Sequence, residues 1–208
     1  MSSINSLDES SMDSYLTIAA PSEGIYTEKR SKFLAFAFPV YDIESIKALV
    51  AEYQKKYYDA RHVCYAYMLG AEREVFRAND NGEPSGTAGK PILGQINSKG
   101  LTNILIIVVR YFGGIKLGTS GLIVAYRLAA AEALAAAEVI ERTVDASVTF
   151  RFDYAEMNAV MRIVKEVNPT ISSQGYEGAQ CVITLTIRKD SMPGLLARLE
   201  KTNVVIES

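Results

Sequence analysis

Two cysteines and one histidine in 208 residues are too few ligands for a zinc ribbon or a Cys/His metal cage. They are also too few for a disulfide framework. Long apolar runs are missing. The longest, Ile104–Val109 and the alanine-rich Ala129–Ala137, fall well short of the ~20 residues that cross a bilayer. The start, Met1–Ser14, lacks the basic region and apolar core of a signal peptide. Its Ser, Asp and Asn content predicts a disordered tail over 1–14, with Met12 as an alternative start. No excess of one charge exists either. Lys plus Arg is 22 and Asp plus Glu is 24, which excludes a wholly basic nucleic-acid coat but leaves room for a local basic patch. These absences predict a reduced, cytoplasmic chain with no membrane association, and no cofactor or metal is expected.

What is present is ordinary globular composition, 49% apolar and 22% charged, in a length suited to one large or two small domains. The first expected unit covers 15–142. Gly24–Glu28 and Lys32–Val40 read as a strand pair, and Asp42 as the cap of a helix over Ile43–Tyr57. In that helix Ile46, Leu49, Val50, Tyr53 and Tyr57 share one face. His62–Leu69 and Glu74–Asn79 read as strands, Ile92–Asn97 as a short helix after Pro91, and Ile104–Val109 as a strand covered on both faces. A turn from Gly113 to Gly121 leads into a helix over Leu122–Glu138. The second expected unit, 143–208, reads as β-α-β-β-α-β. Asp153 and Ser191 are its expected helix caps, and Met157, Val160, Met161 and Val164 the packed face of its first helix. The fold class expected is α+β.

Residues Ile104–Gly121 combine an apolar strand, a glycine cluster and a helix start, the parts of an anion cradle. The spacing matches neither a P-loop, since Thr119 stands where that motif needs Lys, nor the dinucleotide fingerprint, since the glycines run Gly114-x3-Gly118-x2-Gly121. Between Glu83 and Glu132 no Asp or Glu occurs, while Lys90, Lys99, Arg110, Lys116 and Arg127 do. An acid-free, glycine-rich stretch suits contact with phosphate or a nucleic-acid backbone. Glycines at Gly113, Gly114, Gly118 and Gly121 equally suit a tight turn and close helix packing. Both readings stand at this point.

Thr119 and Arg110 belong to the candidate anion site, and Tyr111 and Phe112 could stack on bases beside them. Ser85, Thr87 and Lys90 could donate to a phosphate, or Ser85 and Thr87 could cap the next helix. Asp80 and Glu83 could hold a metal or act as acid and base, against a plain turn role. His62 and Cys64 share a strand face roughly 6.6 Å apart, too far for a direct dyad, and read as structural.

Asp80–Leu93, DNGEPSGTAGKPIL, and Asn103–Gly118, NILIIVVRYFGGIKLG, resemble the two signature segments of the YigZ/Impact family, and HVCYAY at His62–Tyr67 fits more loosely. The resemblance covers Tyr15 to about Glu207. It implies an N-terminal domain of the ribosomal-protein-S5 domain-2-like fold and a ferredoxin-like βαββαβ C-terminal domain. Eukaryotic relatives regulate translation through a protein partner and a further N-terminal domain not expected here. For bacterial members the resemblance implies nucleic-acid or ribosome contact and carries no enzymatic role. Three positions depart from the pattern: Ser120 breaks a glycine pair, Val124 replaces an expected Arg, and Tyr65 an expected Trp. Arg127, one turn after Val124, is the candidate substitute.

Three functions follow as expectations. The first is a non-enzymatic, translation-linked protein contacting RNA or the ribosome. The second is an enzyme or sensor for a small phosphate-bearing molecule. The third is a protein-interaction module with its partner unknown.

Overall fold

Short segments, each with one face apolar enough for a core, make up the chain, which a computed structural model describes over residues 13–207. Two units result, Tyr15–Arg142, and the residues from Thr143 on together with Asp13 and Ser14. Positions 1–12 of the expected tail, with Met12, lie outside the described residues. Asp13 and Ser14, expected in that tail, are placed. Asp13 is buried and accepts a hydrogen bond from Arg188 Nη2 (2.7 Å), and Ser14 opens a strand.

The first unit, whose first and last strands each run one residue past its bounds, contains β1 (Ser14–Ile18), β2 (Ser22–Glu28), β3 (Ser31–Pro39), α1 (Ile43–Lys56), β4 (His62–Leu69), β5 (Val75–Asn79), α2 (Gly89–Ser98), β6 (Ile104–Tyr111), α3 (Gly118–Ala135) and β7 (Val139–Thr143). Five strands form an antiparallel sheet in the order β2-β3-β6-β4-β5. The aliphatic run at Ile104–Val109 lies in its middle strand and is fully buried, as a strand with helices over both faces requires. Each such side chain contributes roughly 1.5–3 kcal/mol. On one face Phe33, Ala35 and Ala37 of β3 pack with α2 and α3; on the other Phe36 packs with Ile46, Val50 and Tyr53 of α1. Asp42 caps α1, its Oδ1 accepting the Ser45 N–H at 2.7 Å.

Alanine lets α3 come close. Ala125, Ala129, Ala130 and Ala133 are buried against the sheet. At Gly24 of β2 the two backbones almost touch: a Cβ there would lie 2.3 Å from the Ala133 nitrogen. Ser22 Oγ donates to the Ala133 carbonyl at 2.8 Å beside it.

Several boundaries differ from the sequence expectation for identifiable reasons. Helix α2 starts at Gly89 rather than Ile92, because a distant carboxylate, described below, caps it. Helix α3 starts at Gly118, so four residues expected in the turn, Gly118 to Gly121, lie in its first turn, and it ends at Ala135. The chain then forms β7, which pairs with β1 in a two-stranded sheet that hydropathy did not reveal.

The second unit contains β8 (Asp145–Asp153), α4 (Met157–Val167), β9 (Thr170–Glu177), β10 (Gln180–Arg188), α5 (Met192–Leu199) and β11 (Val204–Ile206). Its antiparallel sheet runs β11-β8-β10-β9. Val148, Phe150, Phe152, Ile183 and Leu185 face α4 and α5. The other face is a carpet of hydroxyls, with Ser147 bonded to Thr186 (2.7 Å) and Thr149 to Thr184 (2.8 Å). Single 3-10 turns, Tyr154–Glu156 and Lys189–Ser191, precede the two helices, so neither Asp153 nor Ser191 makes the expected side-chain cap. Ile163 takes the packed position expected of Met161, which is exposed. The protein is α+β, with mixed helices and antiparallel sheets.

Candidate functional site

The loop between β5 and α2 is organised around Asp80. Its Oδ1 accepts N–H bonds from Ala88 (3.0 Å) and Gly89 (2.8 Å), and its Oδ2 accepts one from Gly86 (2.8 Å). Burial opposes the charge, but the three amides and nearby Lys90 outweigh it and hold the carboxyl below the ordinary carboxylate range. Asp80 thus caps α2, and its carboxylate is engaged by three backbone N–H groups, the turn and capping role weighed against a metal or acid/base one. Thr87 is buried with its hydroxyl on the Pro84 carbonyl (2.7 Å). Ser85 and Lys90 are exposed, and none of these three lines the cleft described next.

The same loop turns Glu83 inward. Its Oε1 accepts from Arg110 Nη1 (2.6 Å) and from the Tyr126 hydroxyl (2.8 Å). The side chain is only 3% exposed. Its Oε2 lies 3.7 Å from His62 Nε2, and no donor among the described residues hydrogen-bonds it. His62 Nδ1 sits 2.7 Å from the Asn81 carbonyl. A carbonyl only accepts, so Nδ1 carries a proton and Nε2 turns toward Glu83. Cys64 Sγ lies 2.9 Å from the Asp80 carbonyl and 3.4 Å from the Tyr126 hydroxyl. Burial pushes its thiol up to about 12, which leaves it un-ionised. Burial, with Cys64 and Glu83 alongside, also raises the Tyr126 phenol and keeps it a donor.

The glycine-rich turn follows β6. Gly113 is a packing glycine: a Cβ there would lie 2.0 Å from the Arg30 carbonyl carbon, and its N–H is already bonded to Ser31 Oγ (3.1 Å). Gly114 (φ 88°) and Gly118 (φ 73°) occupy left-handed backbone with open space around the missing Cβ. At Gly121 a Cβ would press on Leu117 at 3.0 Å. No side chain caps α3, and among the described residues the N–H groups of Gly118, Thr119 and Ser120 bond to no protein acceptor. They form the positive end of the helix dipole.

These parts meet around a cleft of about 400 Å³ lined by Arg61, His62, Glu83, Arg110, Phe112 and Lys116 and by the first residues of α3, Thr119 included. The Arg110 guanidinium lies 5.6 Å from the ring centres of both Phe33 and Phe112. Tyr111 points elsewhere, its hydroxyl on Asp59 (2.9 Å). Arg127 is exposed farther along α3 and does not line the cleft. Arg61 and Tyr126 were missed in the sequence. The register that sets His62 opposite Arg110 brings Arg61 in, and its only sequence signal was adjacency to His62.

Residues 29–134 match the model of the Impact N-terminal domain, and both signature segments fall inside that range. The chain belongs to the IMPACT family. The IMPACT family member YigZ of Escherichia coli (strain K12) is 33% identical over 168 residues, 80% of this chain and 82% of that one. The IMPACT family member YvyE of Bacillus subtilis (strain 168) is 33% identical over 155 residues, 74% and 71% of the two chains. A crystal structure described as that of a hypothetical protein aligns with TM-score 0.72 and 29% identity, over 95% of this chain and 98% of that one. The alignments with YigZ and YvyE are longer than the matched domain itself. No helix among the described residues is long and apolar enough to cross a membrane.

Proposed function

We propose that this IMPACT protein is a translation-linked regulator that holds RNA by a backbone phosphate in the cleft. The observation carrying this reading is the uncapped start of α3. The open N–H groups of Gly118 and Thr119 belong to residues that line the cleft with Lys116, Arg61 and Arg110, and the cleft's carboxylate, Glu83, is already paired with Arg110. Phe112, 48% exposed, offers a stacking face at the rim. The link to translation rests on the family resemblance. With it go the S5-domain-2-like assignment of the first unit and, from the strand order β11-β8-β10-β9, the ferredoxin-like assignment of the second. Two free, buried cysteines fit a reducing, cytoplasmic setting.

A short single-stranded oligoribonucleotide, followed by fluorescence anisotropy across a salt series, tests the reading. Affinity falls with salt, and Lys116→Ala lowers it and flattens the salt slope by about one. Absence of binding by the wild type, or equal binding by Lys116→Ala and Arg61→Ala, overturns it.

The cleft volume favours a second reading, because about 400 Å³ lies within the size range of small-molecule sites. A phosphorylated metabolite would then occupy the same donors. A thermal-shift series with nucleotides and sugar phosphates decides, since a tight ligand raises Tm.

A further inference from the structure

The cleft has a second pole that the phosphate does not use. Glu83 Oε2 is held deep in the cleft wall without a hydrogen-bond donor, although the carboxylate's other oxygen has two. His62 Nε2 stands 3.7 Å away, with its ring locked by the Nδ1 bond to Asn81. Glu83 Oε2 only accepts, while Nε2 donates when the ring is charged, so an acceptor and a donor then face a common gap. Such a gap is completed by a group that donates one hydrogen bond and accepts another. A hydroxyl does this: it donates to Glu83 Oε2 and accepts from Nε2–H of the charged ring. An oxygen about 2.8 Å from each atom spans a 3.7 Å separation comfortably.

We propose that Glu83 and His62 read a ribose 2′-hydroxyl, making the cleft selective for RNA over DNA. This rests on the phosphate reading above and adds a specificity to it. The chemistry fits the 2′-hydroxyl, which is both donor and acceptor and is the group that separates RNA from DNA. Glu83 does not repel the neighbouring phosphate strongly, because Arg110 and Tyr126 already share its charge. The Arg110 and Tyr126 bonds also fix the carboxylate, so Oε2 is presented without further ordering. Cys64, hydrogen-bonded to Tyr126, braces that arrangement from below.

The experiment compares three oligomers of one sequence on the wild-type protein: RNA, 2′-O-methyl RNA and DNA. The methyl ether keeps the RNA sugar pucker but cannot donate. RNA binds about tenfold tighter than both others, the loss expected for one hydrogen bond to a charged acceptor. In Glu83→Gln the amide N–H₂ turns on His62, the gap closes, and the three affinities converge. His62→Ala, which leaves the Glu83–Arg110 bond intact, reduces the ratio without abolishing binding. If all three oligomers bind the wild type equally, this inference fails while the phosphate reading stands. Equal binding of RNA and 2′-O-methyl RNA, with DNA alone weak, also overturns it and assigns discrimination to sugar shape. A folded Glu83→Gln that keeps the full ratio sinks it as well. If nothing binds, both readings fall together.

Discussion

The five-stranded sheet of the first unit is covered on both faces, and the four-stranded sheet of the second on one. That difference decides how each handles polar groups. Where both faces are covered, a charge at the end of the central strand must find a partner inside. Arg110 finds Glu83, Glu83 also takes Tyr126, and Tyr126 meets Cys64. In the second unit the uncovered face needs no such chain. Its threonines and serines pair across strands and keep access to water. The lesson is that the first unit stakes its stability on a few specific side chains, while the second spreads it over exchangeable ones.

One cysteine lies in each unit, Cys64 and Cys181, and both are buried. Thiol labelling at pH 8 therefore separates the units. Cys64, with its thiol pushed up to about 12, reacts more than about a thousandfold slower than a free thiol until its own unit unfolds. Labelling of both cysteines at one urea concentration would show that the units unfold together and would break the comparison. Glu83→Leu strands the buried Arg110 and destabilises the first unit by roughly 3–5 kcal/mol in urea unfolding read at Cys64. Gly113→Ala drives a methyl into the Arg30 backbone and costs about 1–3 kcal/mol, again in the first unit alone. Asp80→Asn costs about 1–2 kcal/mol near neutral pH. The wild-type carboxyl is held below its ordinary value, so its contribution is complete above about pH 4 and fades as pH falls through the folded value. The gap between Asp80→Asn and wild type therefore narrows in acid. Thr184→Val on the open face costs least, roughly 0.2–1 kcal/mol, and a larger loss would mean that face is more tightly specified than its hydroxyl pairs imply.

Periodicity sufficed where a segment's own residues set its environment. The unbroken aliphatic run marked the middle strand, 3-and-4 spacing after Asp42 marked α1, and the β-α-β-β-α-β reading of 143–208 matches the element order of the second unit. Interactions between distant segments were not legible. Asp80 caps a helix nine residues on, which moved the start of α2. The strand Val139–Thr143 is short and mostly exposed, and it exists because β1 pairs with it. At the site, the stretch from Arg110 to Thr119 was legible through its glycines and missing acids. The bond from Arg110 to Glu83, which turns two turn-like acids into one cap and one buried acceptor, depends on a loop path that no spacing encodes.

The near-contact at Gly24 gives α3 a fixed anchor about 22 Å, or fifteen residues, from its uncapped end. A single methyl added at Gly24 must push β2 and α3 apart there, because the Ala133 backbone leaves it no room. Gly24, with no side chain, thereby sets how closely helix and sheet approach.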